Sequence, residues 1–356
     1  MRGIGRLLGV GLALLAAACA APPPAAPQAA PAPVAAAPAG APTSAPAAPA
    51  APPARESIKY GYNPILNQAP MYIAQDRGYY AEQGLDVEFV PFDSGALMIP
   101  PATAGQLDVI QAVPSPSLFN ALARGLPLVG VASMSRYEIH VLVRKELVDS
   151  GQVKSIEDLR GKRVSFNVEG SPVDYAMRNI FIKSGLMQDI EVVRLSNTDM
   201  AAAMANGAIE AGAVTDSVPI EKRGIGVRLL ASRDFVGLPA SGIVAVGPSL
   251  RDRDESVTAR VVAANIRGLR DWRAAIKDDR VADPEILEII TKWTRTPVDS
   301  IAETLTFAGP PDGRIDLEEM NRQQDFWVAE GMVPVKTDLS QFVENKYVDA
   351  ALARLR

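Results

Sequence analysis

Ser57-Ile-Lys-Tyr-Gly-Tyr62, Ala69-Pro-Met-Tyr-Ile-Ala-Gln-Asp-Arg-Gly78 and Leu85-Asp-Val-Glu-Phe-Val90 follow one another closely along the chain. The first alternates apolar and polar residues, as a half-buried strand does. The second carries Pro70 in its first turn and Gly78 at its end, which are the marks of a short helix. The third alternates again. A strand, a helix and a strand of these lengths make a βαβ unit and predict parallel pairing. Working outward, Asp93-Ser94-Gly95 caps a helix that runs to about Ala104. Asp108-Val-Ile-Gln-Ala112 and Leu128–Ala132 read as short strands, with a helix from about Pro116 to Arg124 between them.

The pattern then repeats. Ser155-Ile-Glu-Asp158 resembles a capping box, and Lys162–Phe166 reads as a strand. Ser171 is the N-cap, Pro172 the first position and Asp174 the first-turn acid of a helix to about Ser184. Ile190–Leu195 is a strand, Thr198–Asn206 a helix and Ala211–Thr215 a strand. A short helix starts at Val218, and a further strand lies near Val227–Leu230. Two successive α/β units are expected, at about 56–140 and 145–240. Ile139–Arg144 and Ser241–Gly247 flank the second and suit strands that cross between lobes. Beyond Pro248 the signal is helical: Glu255–Ile276, Pro284–Thr294, Pro297–Leu305, Asp316–Glu330 and Asn345–Leu355.

The N-terminus is of another kind. Arg2 and Arg6 precede an apolar run, Leu7–Leu15, too short to span the bilayer core but suited to a signal peptide. Ala16-Ala-Ala-Cys19 resembles the bacterial lipoprotein box, with Cys19 as the lipidated residue that tethers the protein to a membrane. An ordinary signal cleaved after Ala-x-Ala is the alternative. Cys19 is the only cysteine. Residues 20–55 are almost entirely Ala and Pro, too poor in large apolar side chains to build a core, and are expected to form a disordered linker.

Composition excludes several functions. The chain is 48% hydrophobic and 22% charged with net charge −5, which offers no basic footprint for nucleic acid. One histidine, His140, and no cysteine after Cys19 leave almost no material for a metal site or a Ser/His/Asp triad. His140 sits in an apolar strand-like run and reads as structural. No phosphate-cradling Gly-x-x-x-x-Gly-Lys-Ser/Thr loop occurs. No catalytic residue, metal or cofactor is expected.

Ala69–Val87, Gly105-Gln-Leu-Asp108, Asp158-Leu-Arg-Gly-Lys-Arg-Val164 and Asn206-Gly-Ala-Ile-Glu-Ala211 together resemble motifs of the solute-binding proteins for alkanesulfonates, taurine, nitrate and thiamine-pyrimidine precursors. Asp108 and Glu210 read as turn-holding residues. The resemblance implies a type II periplasmic-binding-protein fold, α/β in class. It has two lobes, each a mostly parallel sheet flanked by helices, joined by two crossing segments. Lobe one is expected at 56–143 plus 243–356 and lobe two at 144–242.

In open α/β sheets ligands sit beyond the carboxyl ends of strands. That rule selects Asn63, Asn67, Ser94, Gly95, Ser115 and Ser133 in lobe one, and Asn167, Gly170, Ser171 and Asp216 in lobe two. Backbone N–H groups at Ser94–Ala96 and Gly170–Ser171 suit an anionic group, although Ser94 and Ser171 also serve as simple caps. Asp216 suits an amine, amidine or ring N–H. With Glu169 it opposes a strongly anionic ligand unless Arg136 or Lys222 offsets them. Tyr62, Tyr72 and Tyr137 are candidate stacking platforms. The implied function is capture of a small organic solute by a monomeric, lipid-anchored extracytoplasmic protein that delivers it to ABC permease subunits. Sulfonate, nitrate, pyrimidine, riboflavin-like and aromatic carboxylate ligands stay open. So do a sensor in place of a permease, and an enzyme of pyrimidine metabolism on the same fold.

Overall fold

A computed structural model describes residues 55–239 and 242–356. Cys19, the signal-like run and nearly all of the Ala/Pro linker lie outside the described residues. The strands run in chain order as β1 (Glu56–Tyr62), β2 (Leu85–Pro91), β3 (Val109–Ala112), β4 (Val129–Ser133), β5 (Ser135–Arg136), β6 (His140–Arg144), β7 (Arg163–Phe166), β8 (Glu191–Arg194), β9 (Ala211–Val214), β10 (Gly226–Ala231) and β11 (Ile243–Val246). All of these but β5 form two five-stranded sheets, ordered β2-β1-β3-β11-β4 and β10-β6-β9-β7-β8. In the first, β1 pairs parallel with β2 and β3, while β11 is antiparallel to β3 and β4. In the second, β7 pairs parallel with β8 and β9, while β6 is antiparallel to β9 and β10.

Read from the opposite edge, the second sheet repeats the first. Each holds four strands that run in one direction and one antiparallel strand brought in by a crossing segment. β6 is thus an interior strand of the second sheet, so a lobe boundary at 143/144 would cut the chain after β6 has already joined that sheet. The crossing falls earlier, around β5, which pairs with Phe307–Ala308. That short pairing, unforeseen in the sequence, fastens the outgoing crossing to the C-terminal region.

The motif acids clip both sheets in the same way. Asp108 Oδ2 accepts from Lys59 N at 2.8 Å, and Asp108 N donates to Lys59 O at 2.9 Å. Glu210 Oε2 accepts from Arg163 N at 2.9 Å, and Glu210 N donates to Arg163 O at 3.0 Å. The crossing strands join the same points, through Gly247 N to Asp108 O and Arg144 N to Glu210 O. Each side chain therefore fixes the offset between two parallel strands that no tight turn connects.

Both faces of each sheet are covered, which is why β3, β4, β9 and β11 are buried along their whole length. Helices Ala69–Asp76 and Glu255–Ala275 pack on one face of the first sheet, and Gly95–Thr103, Pro116–Ala123 and Leu317–Ala329 on the other. Gly268 allows the closest of these contacts, because a Cβ there would stand 2.0 Å from Pro70 O. Among the described residues, no helix is long and apolar enough to cross a membrane.

Candidate functional site

The parallel strands of both sheets end at one cleft. The segments that follow β1, β2, β3, β7 and β9 line it, joined by residues 136–138 of the outgoing crossing and by Thr294–Phe307 of the C-terminal region. The cavity has a volume of about 710 Å³. That suits a small organic molecule, since ligand pockets commonly run to several hundred cubic ångströms.

Nine of the residues chosen from the sequence meet there: Asn63, Asn67, Ser94, Gly95, Ser115 on one side, Asn167, Gly170, Ser171 and Asp216 on the other. Ser133 does not line the cleft. It ends β4 at 1% exposure, with its N–H bonded to Gly313 O, because the strand carries it behind the wall. Several of the nine already have structural duties. Asn63 Nδ2 donates to the carbonyls of Phe92 and Asp93 at 2.9 and 2.8 Å and so ties the ends of β1 and β2 together. Ser115 Oγ caps Leu118 N, and Ser171 Oγ caps Asp174 N at 3.2 Å.

The expected anion cradle at Gly170–Ser171 is filled from within. Gly170 N donates to Asp174 Oδ2 at 2.9 Å. The fully buried Asp174 carboxylate is held in turn by Arg178 and Arg194. The helix Pro172–Lys183 thus supplies its own anion at its N-terminus.

Among the described residues, four carboxylates line the cleft, Asp93, Glu138, Glu169 and Asp216, against one guanidinium, Arg136. Arg136 Nη1 is already committed to Leu238 O and to Glu319 Oε2 at 3.1 Å. Lys222 pairs with Glu303 instead and does not line the cleft. Glu138 bonds Arg233 and His140; burial pushes its carboxyl up, but those two hydrogen bonds outweigh burial and hold its pKa at about 2. Glu169 pairs with Arg178 at 3.2 Å. Asp216 has no ion pair among the described residues. Burial raises its pKa, partly opposed by hydrogen bonds from Thr304 and from Val218 N, the latter at 3.2 Å. A ligand anion 4 Å from an ionised Asp216 would meet a repulsion of about 1 kcal/mol in bulk water and about 4 kcal/mol at an effective dielectric of 20.

His140 lies buried in β6 outside the lining, with Nε2 3.2 Å from Glu138 Oε2. Of the three tyrosines, only Tyr137 reaches the cleft. Tyr72 stacks on Trp293, ring centres 5.2 Å apart, and its hydroxyl donates to the carbonyls of Asn63 and Ile65, which steadies the loop after β1. Tyr62 packs edge-on to Tyr72 and Trp293.

Sequence reasoning missed Gln111 inside β3, Glu138 as a lining residue, and the wall formed by Thr294, Thr296, Ile301, Thr304, Leu305, Thr306 and Phe307. Only the alternating Thr304-Leu-Thr-Phe307 after a helix end hinted at that wall, and the helical pattern around it masked the hint.

The profile of the family described as "NMT1/THI5 like" matches residues 65–275. A riboflavin-binding protein, RibY of Chloroflexus aurantiacus, is 27% identical over 96% of each chain. In structure, the aliphatic sulphonate binding protein SsuA of Escherichia coli superposes with a TM-score of 0.66 at 19% identity, over 81% of this chain and 92% of that one. The nitrate-binding protein NrtA of Synechocystis PCC 6803 gives 0.65 at 15% identity, over 85% and 89%. Both share the two-lobed periplasmic-binding-protein fold with this chain.

Proposed function

Because the chain belongs to the NMT1/THI5-like family, we propose that it is the solute-binding component of an ABC importer, held outside the cytoplasmic membrane by a lipid on Cys19. It captures one small organic solute and hands it, unchanged, to permease subunits. The observation that carries this reading is the cleft itself: about 710 Å³, bounded by strand ends from two similar sheets that only the crossing segments join by strand. Such an arrangement hinges, and hinge closure around a ligand is the motion that a permease can recognise. Binding without chemistry fits the lining, which among the described residues holds no cysteine or histidine; His140 sits behind it, paired with Glu138.

Contacts already bridge the two halves beside the cleft. Arg178 Nη1 lies 2.8 Å from Glu330 Oε2, and the Tyr175 ring meets Phe326 edge-on at 4.9 Å between centres. Lys222 and Glu303 pair on the other flank. These are the contacts a closed form would keep and an open form would lose.

The test is small-angle scattering on the purified chain with and without a solute that raises its melting temperature. A ligand at a hundred times its dissociation constant adds about 2.7 kcal/mol of stability. The expected result is one-to-one binding with a smaller radius of gyration. Binding with unchanged dimensions would remove hinge closure, and absence of any solute effect would remove the reading as a whole.

A further inference from the structure

Ile276–Lys277 and Arg280–Val281 pair as a small antiparallel hairpin behind the C-terminal wall of the cleft. Its two-residue loop, Asp278-Asp279, has φ of +50° and +58°. Such a loop takes positive φ at both central positions, and Asn-Gly is the pair most often found there. Here neither position is glycine. Asp tolerates the left-handed region better than most side chains do, yet glycine occupies it without steric cost. Strain of this kind persists where the surrounding structure holds it, and it clusters at switch regions.

The two acids differ in what they touch. Asp278 is exposed and has no hydrogen bond or ion pair among the described residues. Asp279 reaches the other lobe: its Oδ2 lies 3.4 Å from Arg233 Nη2, the side chains being 47% and 41% exposed. Arg233 follows β10 at the edge of the second sheet, whereas the hairpin packs into the core of the first through Ile276 and Val281. The same guanidinium holds Glu138 of the outgoing crossing, with Nη2 3.0 Å from Glu138 Oε2, and lies over the Phe307 ring, 5.0 Å from its centre. Glu138 and Phe307 both line the cleft; Asp279 does not. The outgoing chain bends near β5, so Arg233 and Glu138 stand on one side of the bend, Asp279 and Phe307 on the other.

The Asp279 main chain has a separate duty. Its carbonyl accepts from Thr306 N at 2.9 Å and steadies the cleft wall. That duty needs no side chain, and glycine would perform it with less strain. What the carboxylate adds is the contact with Arg233 across the bend. Resting on the hinge-closing reading above, we propose that Asp279 is a positioning residue for solute capture: its carboxylate latches Arg233 across the hinge and holds the two lobes toward the closed form. The cost of the strained turn is offset by this bias in the lobe equilibrium. A solute then has less of the closure to drive, since apparent affinity rises in proportion to the population of the binding-competent state.

Two glycine variants of the full chain separate the side chain from the turn. Asp278→Gly and Asp279→Gly relieve the same loop, but only the second removes the latch. The urea unfolding midpoint should fall in neither. Small-angle scattering without solute should give a larger radius of gyration for Asp279→Gly and an unchanged one for Asp278→Gly. With riboflavin as the probe in calorimetric titration, Asp279→Gly should bind about twofold to fivefold more weakly, as loss of one half-exposed ion pair implies, and Asp278→Gly should bind as the unaltered protein does. In an Arg233→Gln background, Asp279→Gly should change radius and affinity no further. Equal solute-free radii in both variants and the unaltered protein would overturn the latch. So would an effect of Asp279→Gly that survives Arg233→Gln in full, or a lowered midpoint in Asp279→Gly without a change in radius. Silence of riboflavin on the unaltered protein would remove that solute and not the latch, which the solute-free radii decide by themselves.

Discussion

Asp216 shows how one residue can be a cap and a site at once. Its carboxylate accepts from Val218 N, as a residue before a short helix should, yet burial in the cleft raises its pKa. The sign of the consequence follows from linkage. A carboxyl that holds its proton more tightly folded than unfolded makes stability fall as pH rises from its ordinary value, 3.8, through its raised folded value. Asp216→Asn removes that loss, so its stability relative to the unaltered protein should grow with pH across this window in urea melts, and ligand binding should weaken. Glu138 behaves in the opposite sense. Its folded pKa of about 2 gives stability that is present above pH 4.5 and lost as pH falls toward 2. Arg233→Ala should flatten that acid limb and cost about 1–3 kcal/mol at neutral pH, less than a fully buried pair because Arg233 is 41% exposed. An acid limb as steep in Arg233→Ala as in the unaltered protein would refute the assignment.

At the scale of elements, the sheets are held by matched clips. Asp108→Ala and Glu210→Ala each remove a carboxylate that bonds the N–H of a neighbouring strand. Each should cost about 1–3 kcal/mol, and the two costs should add, since they lie in different sheets with no shared partner. Gly268→Ala drives a Cβ into Pro70 O on the facing helix. That contact is backbone against backbone and cannot give way by a rotamer change, so a loss of about 2 kcal/mol or more is expected in chemical denaturation. Strands and helices were legible in the sequence because their periodicity and caps are local. Glu255–Ala275, for instance, follows its apolar spacing, and Pro172–Lys183 its Ser-Pro-x-Asp start. The pairing of β5 with Phe307–Ala308 was not legible, because two residues carry no period and their partner lies far along the chain.

At the scale of the molecule, the jaws are joined beside the cleft by Arg178–Glu330 and by Tyr175 against Phe326. Glu330→Gln lies off the lining and should leave the fold intact. It should shift the opening equilibrium by the value of one partly exposed ion pair, weakening solute binding about twofold to fivefold and enlarging the liganded radius of gyration. Cys19→Ala should move the protein from the detergent phase to the aqueous phase in phase partitioning of whole-cell extracts. An unaltered detergent fraction would remove the lipid tether.

By itself, the sequence determined the two α/β repeats, the crossing strands, and nine of the ten residues that it nominated for the cleft. Each of these depends on order along the chain: where strands end, and which residue caps the next helix. Only the tertiary structure decided what those residues face. Gly170 was nominated as an anion donor, but Asp174 reaches it first and Arg178 and Arg194 close around that acid. Gln111 was hidden inside an apolar strand, and its place in the cleft wall is held by Tyr60, behind which stands Asn265, 154 positions along the chain from Gln111. Hydrogen-bond partners and field strengths are set by proximity in space, which residue order alone does not encode.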